Sequence, residues 1–161
     1  MNAHEATQWV LQAVSGDESR SSITHAVCLT GHVVATDGHR LHLAKTAAPE
    51  GTEGLFHHSG EWVERGVDFP DYKRVIPDRE YRQAVTVETM EATEGEPRYY
   101  RIVFTNGESG KYNATFFDQM MACAGKKGLF VVEDSAQHDI GPILGRETNE
   151  ILGLLMPVRE T

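Results

Sequence analysis

Val33-Val34-Ala35-Thr36-Asp37-Gly38-His39-Arg40-Leu41 is the stretch on which the reading of this chain turns. An apolar run reaches Ala35, Asp37-Gly38 supplies a tight turn, and an alternating pattern resumes at Leu41, so the spacing predicts a β-hairpin. Its two strands are expected at 32–35 and 40–45. A further strand over 23–29 is set off from them by Thr30-Gly31.

Upstream, Ala6, Trp9, Val10, Ala13 and Val14 recur at helical spacing, which predicts an amphipathic helix from His4 to Val14. Ser15-Gly16-Asp17 marks its end. Downstream, residues 46–53 read as a loop and Leu55 to Val67 as a small hairpin turning at Ser59-Gly60. Pro70 and Pro77 bracket a connector, because proline donates no ladder hydrogen bond. Strands follow at Tyr81 to Glu88 and Tyr99 to Phe104, around an acidic turn from Glu91 to Pro97. Gly107-Glu108-Ser109-Gly110 reads as a turn-like insert. A second helix begins after Asn113 as N-cap, carries Phe116, Phe117, Met120, Met121 and Ala124 on its apolar side, and stops at Gly125. Strands at 129–133, 142–144 and 151–158 complete an α+β chain, read as one domain over 1–161 with an imperfect twofold repetition.

Length supports that reading, since 161 residues can bury a core without disulfides or metal. Cys28 and Cys123 are expected as reduced thiols. No apolar run approaches the roughly 20 residues of a membrane span, and the N-terminus lacks the basic flank and apolar stretch of a secretory signal, so a cytoplasmic protein is expected. The 24 acidic and 15 basic side chains give a formal charge of -9, which repels nucleic acid unless cations are segregated on one face.

His32, Asp37, His39 and His42 fall close together, and His57-His58 add a pair, which raises the possibility of a divalent metal site. No HExxH or paired CxxC spacing supports it, and no P-loop, G-x-G-x-x-G or G-x-S-x-G pattern is present. No catalytic residue, metal or cofactor is expected.

The hairpin stretch, Phe69-Pro70-Asp71-Tyr72-Lys73-Arg74-Val75-Ile76-Pro77 and Leu155-Met156-Pro157-Val158-Arg159 together resemble the bacterial sliding clamp family, the beta subunit of DNA polymerase III. That resemblance implies a sliding-clamp-like domain, two helices packed on antiparallel sheets, and a non-enzymatic replication processivity factor. Six such domains close into a ring in the family, so a chain with material for one domain would need six copies joined head to tail as a homo-oligomer. A full-length clamp subunit carries the first two motifs around its second domain and the Met-Pro-x-Arg ending in its third. Here all three fall within one domain's length.

In the family these motifs line a cleft that captures short linear peptides from polymerases and other replication proteins. Carried over residue by residue, the candidates are Thr36, Gly38, His39, Arg40, Leu41, Pro70, Arg74, Val75, Met156, Pro157 and Val158. Leu41, Pro70, Val75, Met156 and Val158 would give apolar walls, while His39 and Arg40 would give polar edges. The family's hold on double-stranded DNA, which reads no sequence, needs cations on the inward helix faces. Lys111, Lys126 and Lys127 are the candidates, whereas the polar side of the first helix offers only His4, Glu5, Gln8 and Gln12. The alternative is a clamp-like interaction module that binds or diverts replication proteins without encircling DNA. The compression of the motifs suggests a bacteriophage or other mobile element as source.

Overall fold

The computed structural model describes residues 3–17, 19, 23–29, 31–45, 54–57, 62–63, 69–74, 81–104, 107–124, 129–132, 143–148 and 151–158. In chain order these form α1 (Ala3–Leu11), β1 (His25–Leu29), β2 (His32–Thr36), β3 (Arg40–Lys45), β4 (Gly54–His57) and β5 (Trp62–Val63). A 3-10 turn (Tyr72–Arg74) leads to β6 (Tyr81–Thr89), β7 (Tyr99–Phe104), β8 (Ser109–Asn113), α2 (Ala114–Ala124), β9 (Leu129–Val132), β10 (Ile143–Thr148) and β11 (Ile151–Leu155). All described strand pairings are antiparallel, in the order β5-β4-β1-β2-β3-β11-β10-β9-β6-β7-β8.

The alternation along the central strands sorts their side chains onto two faces. Ala26 and Cys28 of β1, Val33 and Ala35 of β2, and Ala44 of β3 meet Ala6, Trp9, Val10 and Ala13 of the first helical segment. Four of these five strand positions carry Ala or Cys, which lets the helix axis come close. α2 packs Phe117 and Met120 against Ile102, Phe104, Tyr112, Ile143 and Leu155. The opposite face of the sheet is a second apolar layer of Val27, Val34, Leu41, Leu43, Leu144, Leu152 and Leu154, and Phe69 and Tyr72 of the connector pack onto it. At about 1.5–3 kcal/mol for each large buried aliphatic side chain, this layer is a principal source of stability.

Both predicted helices form. α1 ends at Leu11 and continues as a turn, with the Ala13 and Val14 amides donating to the Val10 and Leu11 carbonyls. The amide of Phe116 donates to Asn113 Oδ1 at 3.0 Å, which is the expected cap of α2. Its expected stop, Gly125, lies outside the described residues, as do the 46–53 loop and the Ser59-Gly60 turn.

One expectation needs correction. Ser109 and Gly110 are not part of a turn-like insert but open β8, and the reversal is confined to the residues before them. Phe104 and Glu108 close that reversal through an N–H to carbonyl bond of 2.9 Å, with Gly107 at φ +83°. Gly110 is required by Tyr112, two residues on along the same face: a Cβ there would lie 2.8 Å from its ring.

Candidate partner-docking site

The β2–β3 turn is built by its own side chains. Asp37 Oδ1 accepts from the amides of His39 at 2.9 Å and Arg40 at 3.1 Å, and the Thr36 hydroxyl accepts from the Gly38 amide while donating to the Arg40 carbonyl at 2.6 Å. Gly38 sits at φ +90°, where a side chain would be strained. The Asp37-Gly38 pair therefore specifies the hairpin through both side-chain bonding and backbone freedom.

The register of β3 with β11 joins the first and third motifs. Leu41 lies opposite Leu154 and Arg40 opposite Leu155, and the Met156 amide then donates to the His39 carbonyl at 2.9 Å. The connector brings in the second motif, with Phe69 and Tyr72 in edge-to-face contact at 6.4 Å. Thr36, Gly38, Arg40, Leu41, Pro70 and Met156 consequently line one cleft of about 320 Å³, together with Ile23, Asp71, Tyr72 and Leu154. A second cavity of about 510 Å³ lies beyond Met156, lined by His39, Tyr99, Asn113, Phe116, Leu155, Pro157 and Val158. Met156 is 48% exposed and forms a wall of both. Most of the residues proposed from sequence are thus brought together, but around two spaces instead of one.

Individual residues differ from their expected roles. Arg40 is buried, and its guanidinium does not present a free polar edge. Its Nε meets Asp37 Oδ2 at 3.1 Å, Nη1 donates to Gln119 Oε1, Nη2 donates to the Gln12 carbonyl, and Cζ sits 4.0 Å over the Phe116 ring. Burial pulls this group below its ordinary value, and Asp37 opposes that shift. Arg40 therefore ties the hairpin to both helical segments. Leu41 is 3% exposed and belongs chiefly to the core. Arg74 is exposed and pairs with Asp71 at 3.2 Å, a surface bond of small energetic weight. Val75 lies outside the described residues, with Lys126 and Lys127. Lys111 stands on β8 with its ammonium 4.1 Å over the Tyr99 ring. Neither helix contains Lys or Arg, and the exposed positions of the first helical segment and α2 include Glu5 and Asp118.

Among the described residues no group of three His, Cys, Asp or Glu side chains is placed to hold a metal ion. His42 is fully buried and stacks on Trp9 with centroids 4.1 Å apart, its Nδ1 2.8 Å from the Trp9 carbonyl. Burial holds it neutral, with its pKa lowered to about 4. A neutral ring uses Nδ1–H as donor, leaving Nε2 as a buried acceptor that has no partner among the described residues. No described helix is long and apolar enough to cross a membrane.

No protein-family model and no curated protein matches the chain. Solved structures do match it. The DNA polymerase III subunit beta from Borrelia burgdorferi superposes with a TM-score of 0.66 at 13% identity, over 99% of this chain and 62% of that one. The DNA polymerase sliding clamp from Caulobacter crescentus gives a TM-score of 0.58 at 20% identity, over 99% and 65%. The chain has the sliding-clamp fold. It spans less than two thirds of the length of these clamps, and at such identities the likeness is one of backbone architecture.

Sequence reasoning missed Tyr72, Leu154, Tyr99 and Phe116 as cavity walls. Asn113 was legible as a helix cap but not as a lining residue. Leu154 reaches its cavity through the pairing of β11 with the distant β3, Tyr72 through the connector and Phe116 from α2, placements that depend on tertiary packing.

Proposed function

We propose that this chain is a non-enzymatic, peptide-docking module of sliding-clamp type, acting as one unit to recruit a DNA polymerase or another replication enzyme. The observation that carries the proposal is the one cleft lined by Thr36, Gly38 and Leu41 of the hairpin, Pro70 of the connector and Met156, with the β3–β11 register setting Leu41 opposite Leu154. Apolar walls with a few fixed polar groups suit the side chains of a short linear peptide, and an exposed methionine adapts to varied partners. Val75 would extend the apolar wall from the connector, and Pro157 and Val158 the second cavity. No bond need be made or broken.

The sliding-clamp fold itself favours a second reading, in which six copies close head to tail around double-stranded DNA with Lys111, Lys126 and Lys127 near the phosphates. The cation-free helices weigh against it. A ring reading requires a stable hexamer by light scattering and duplex binding that weakens steeply with salt.

The docking reading is tested by fluorescence anisotropy, using a labelled peptide from the clamp-binding segment of a bacterial replicative polymerase. Met156→Ala is expected to weaken binding about tenfold, or about 1.4 kcal/mol. Equal affinity in the folded variant contradicts the assignment.

A further inference from the structure

β6 begins as an interior strand and ends as an edge. Tyr81, Arg82 and Gln83 pair with β9. A bulge between Ala84 and Thr86 then redirects the strand, and beyond it β7 is its only strand neighbour among the described residues. Thr86, Val87, Glu88 and Thr89 are all exposed, with Val87 at 44%.

The ladder fixes which backbone groups point outward. Met90 donates its amide to the Tyr99 carbonyl at 3.1 Å, so Met90 and Tyr99 form a hydrogen-bonded pair. In an antiparallel ladder such pairs alternate, which places Glu88 with Arg101 and Thr86 with Val103 in the same class. Val87 and Thr89 therefore turn their N–H and C=O groups away from β7. Natural edges are blunted by charged side chains, proline, bulges or extreme shortness. This one has a bulge at its entry and a single charge, Glu88, but carries no lysine or proline and presents the β-branched residues Thr86, Val87 and Thr89, which suits continued pairing.

Charge selects the occupant. Glu88, Glu91, Glu94 and Glu96 are exposed along the strand and its turn, and Arg98 is the one cation between Ala84 and Arg98. Pairing with the same edge of a second copy would set these carboxylates against one another, which is unfavourable. β8 brings only Lys111, whose carbonyl already accepts the Val158 amide at 2.8 Å. We propose that the Thr86 to Thr89 edge of β6 accepts an extended, basic segment of another protein as an added strand. Main-chain bonds to Val87 and Thr89 would supply register, and Lys or Arg side chains of the partner would meet the carboxylates. This site shares no residue with the Met156 cleft, so it stands or falls separately from the docking reading above.

The test uses a soluble peptide of alternating Lys and Val, with a Glu and Val counterpart as control, followed by amide hydrogen exchange. The basic peptide is expected to bind, to weaken with added salt, and to slow exchange at the Val87 and Thr89 amides. Val87→Pro removes one outward donor without touching the β7 ladder, and is expected to weaken binding about tenfold. A Glu91→Lys, Glu94→Lys, Glu96→Lys variant, altered only in the exposed turn, is expected to prefer the acidic peptide. No binding of the basic peptide, binding without slowed exchange at Val87 and Thr89, or indifference to the charge reversal overturns the proposal. Self-association abolished by Val87→Pro also overturns it, by making a second copy the occupant.

Discussion

The amide of Met156 donates to the carbonyl of His39 at 2.9 Å, extending the β3–β11 ladder by one bond past Leu155 and fixing the exposed Met156 side chain between two cavities. The proposed docking and folding are therefore expected to be separable here. Met156→Ala is expected to leave stability within about 0.5 kcal/mol, as for an exposed side chain. Leu41→Ala, at a 3% exposed core position, should cost about 2–5 kcal/mol. Urea unfolding of the two variants checks the contrast, and the reverse order would move Met156 into the core.

Arg40 links elements that are far apart in sequence, through Asp37, Gln119 and the Gln12 carbonyl. Removing it leaves the Asp37 carboxylate and the Gln12 and Gln119 acceptors short of a donor. Arg40→Met is expected to cost about 3–5 kcal/mol in denaturant unfolding. Arg40→Lys should recover only part of that, because an ammonium lacks the planar fork that reaches three partners at once.

His42 makes stability depend on pH in a defined window. Its native pKa is lowered to about 4 from 6.5, so between those values the unfolded chain takes up a proton that the native chain refuses. Its contribution is complete above about pH 6.5 and declines as pH falls toward 4, a loss of about 3 kcal/mol across the window. His42→Phe keeps an aromatic ring to stack on Trp9 and removes the titration. Thermal unfolding from pH 7 to pH 4 should flatten in this variant, and an unchanged slope would assign the dependence to other groups.

Gly153 stands between His42 and Gly145 across three strands, directly beneath Met120. A Cβ at Gly153 would lie 2.6 Å from Met120 Cγ, whereas one at Gly145 would lie 3.2 Å from the terminal methyl of the same side chain. Gly153→Ala should cost about 1–3 kcal/mol through overpacking, and Gly145→Ala less, since a flexible terminus can move. Calorimetry on both variants measures the difference.

The hairpin and the second helix were legible because their signals are local. Asp37-Gly38 specifies a turn by side-chain bonding and a positive φ, and Asn113 caps the helix within one turn. β8 was obscured because Gly110 resembles a turn residue until the ring of Tyr112, two positions on, is seen to occupy the space of a Cβ. The inward role of Arg40 was hidden for a different reason: its partners Gln12 and Gln119 are distant in sequence, and only the packing of both helical segments on one sheet face brings them together. The same packing buries His42 against Trp9 and withdraws it from the metal cluster that spacing alone suggested. That Thr36, Gly38, Leu41, Pro70 and Met156 line one cavity agrees with the grouping drawn from the motif resemblance, whereas the second cavity beyond Met156 was not foreseen.

The most direct measurement is a methyl NMR titration of the protein, labelled at its methionine methyls, with the polymerase peptide. The Met156 methyl should shift progressively and saturate, while the buried Met120 methyl moves little. A saturating complex that leaves the Met156 methyl unperturbed would contradict peptide docking at this cleft.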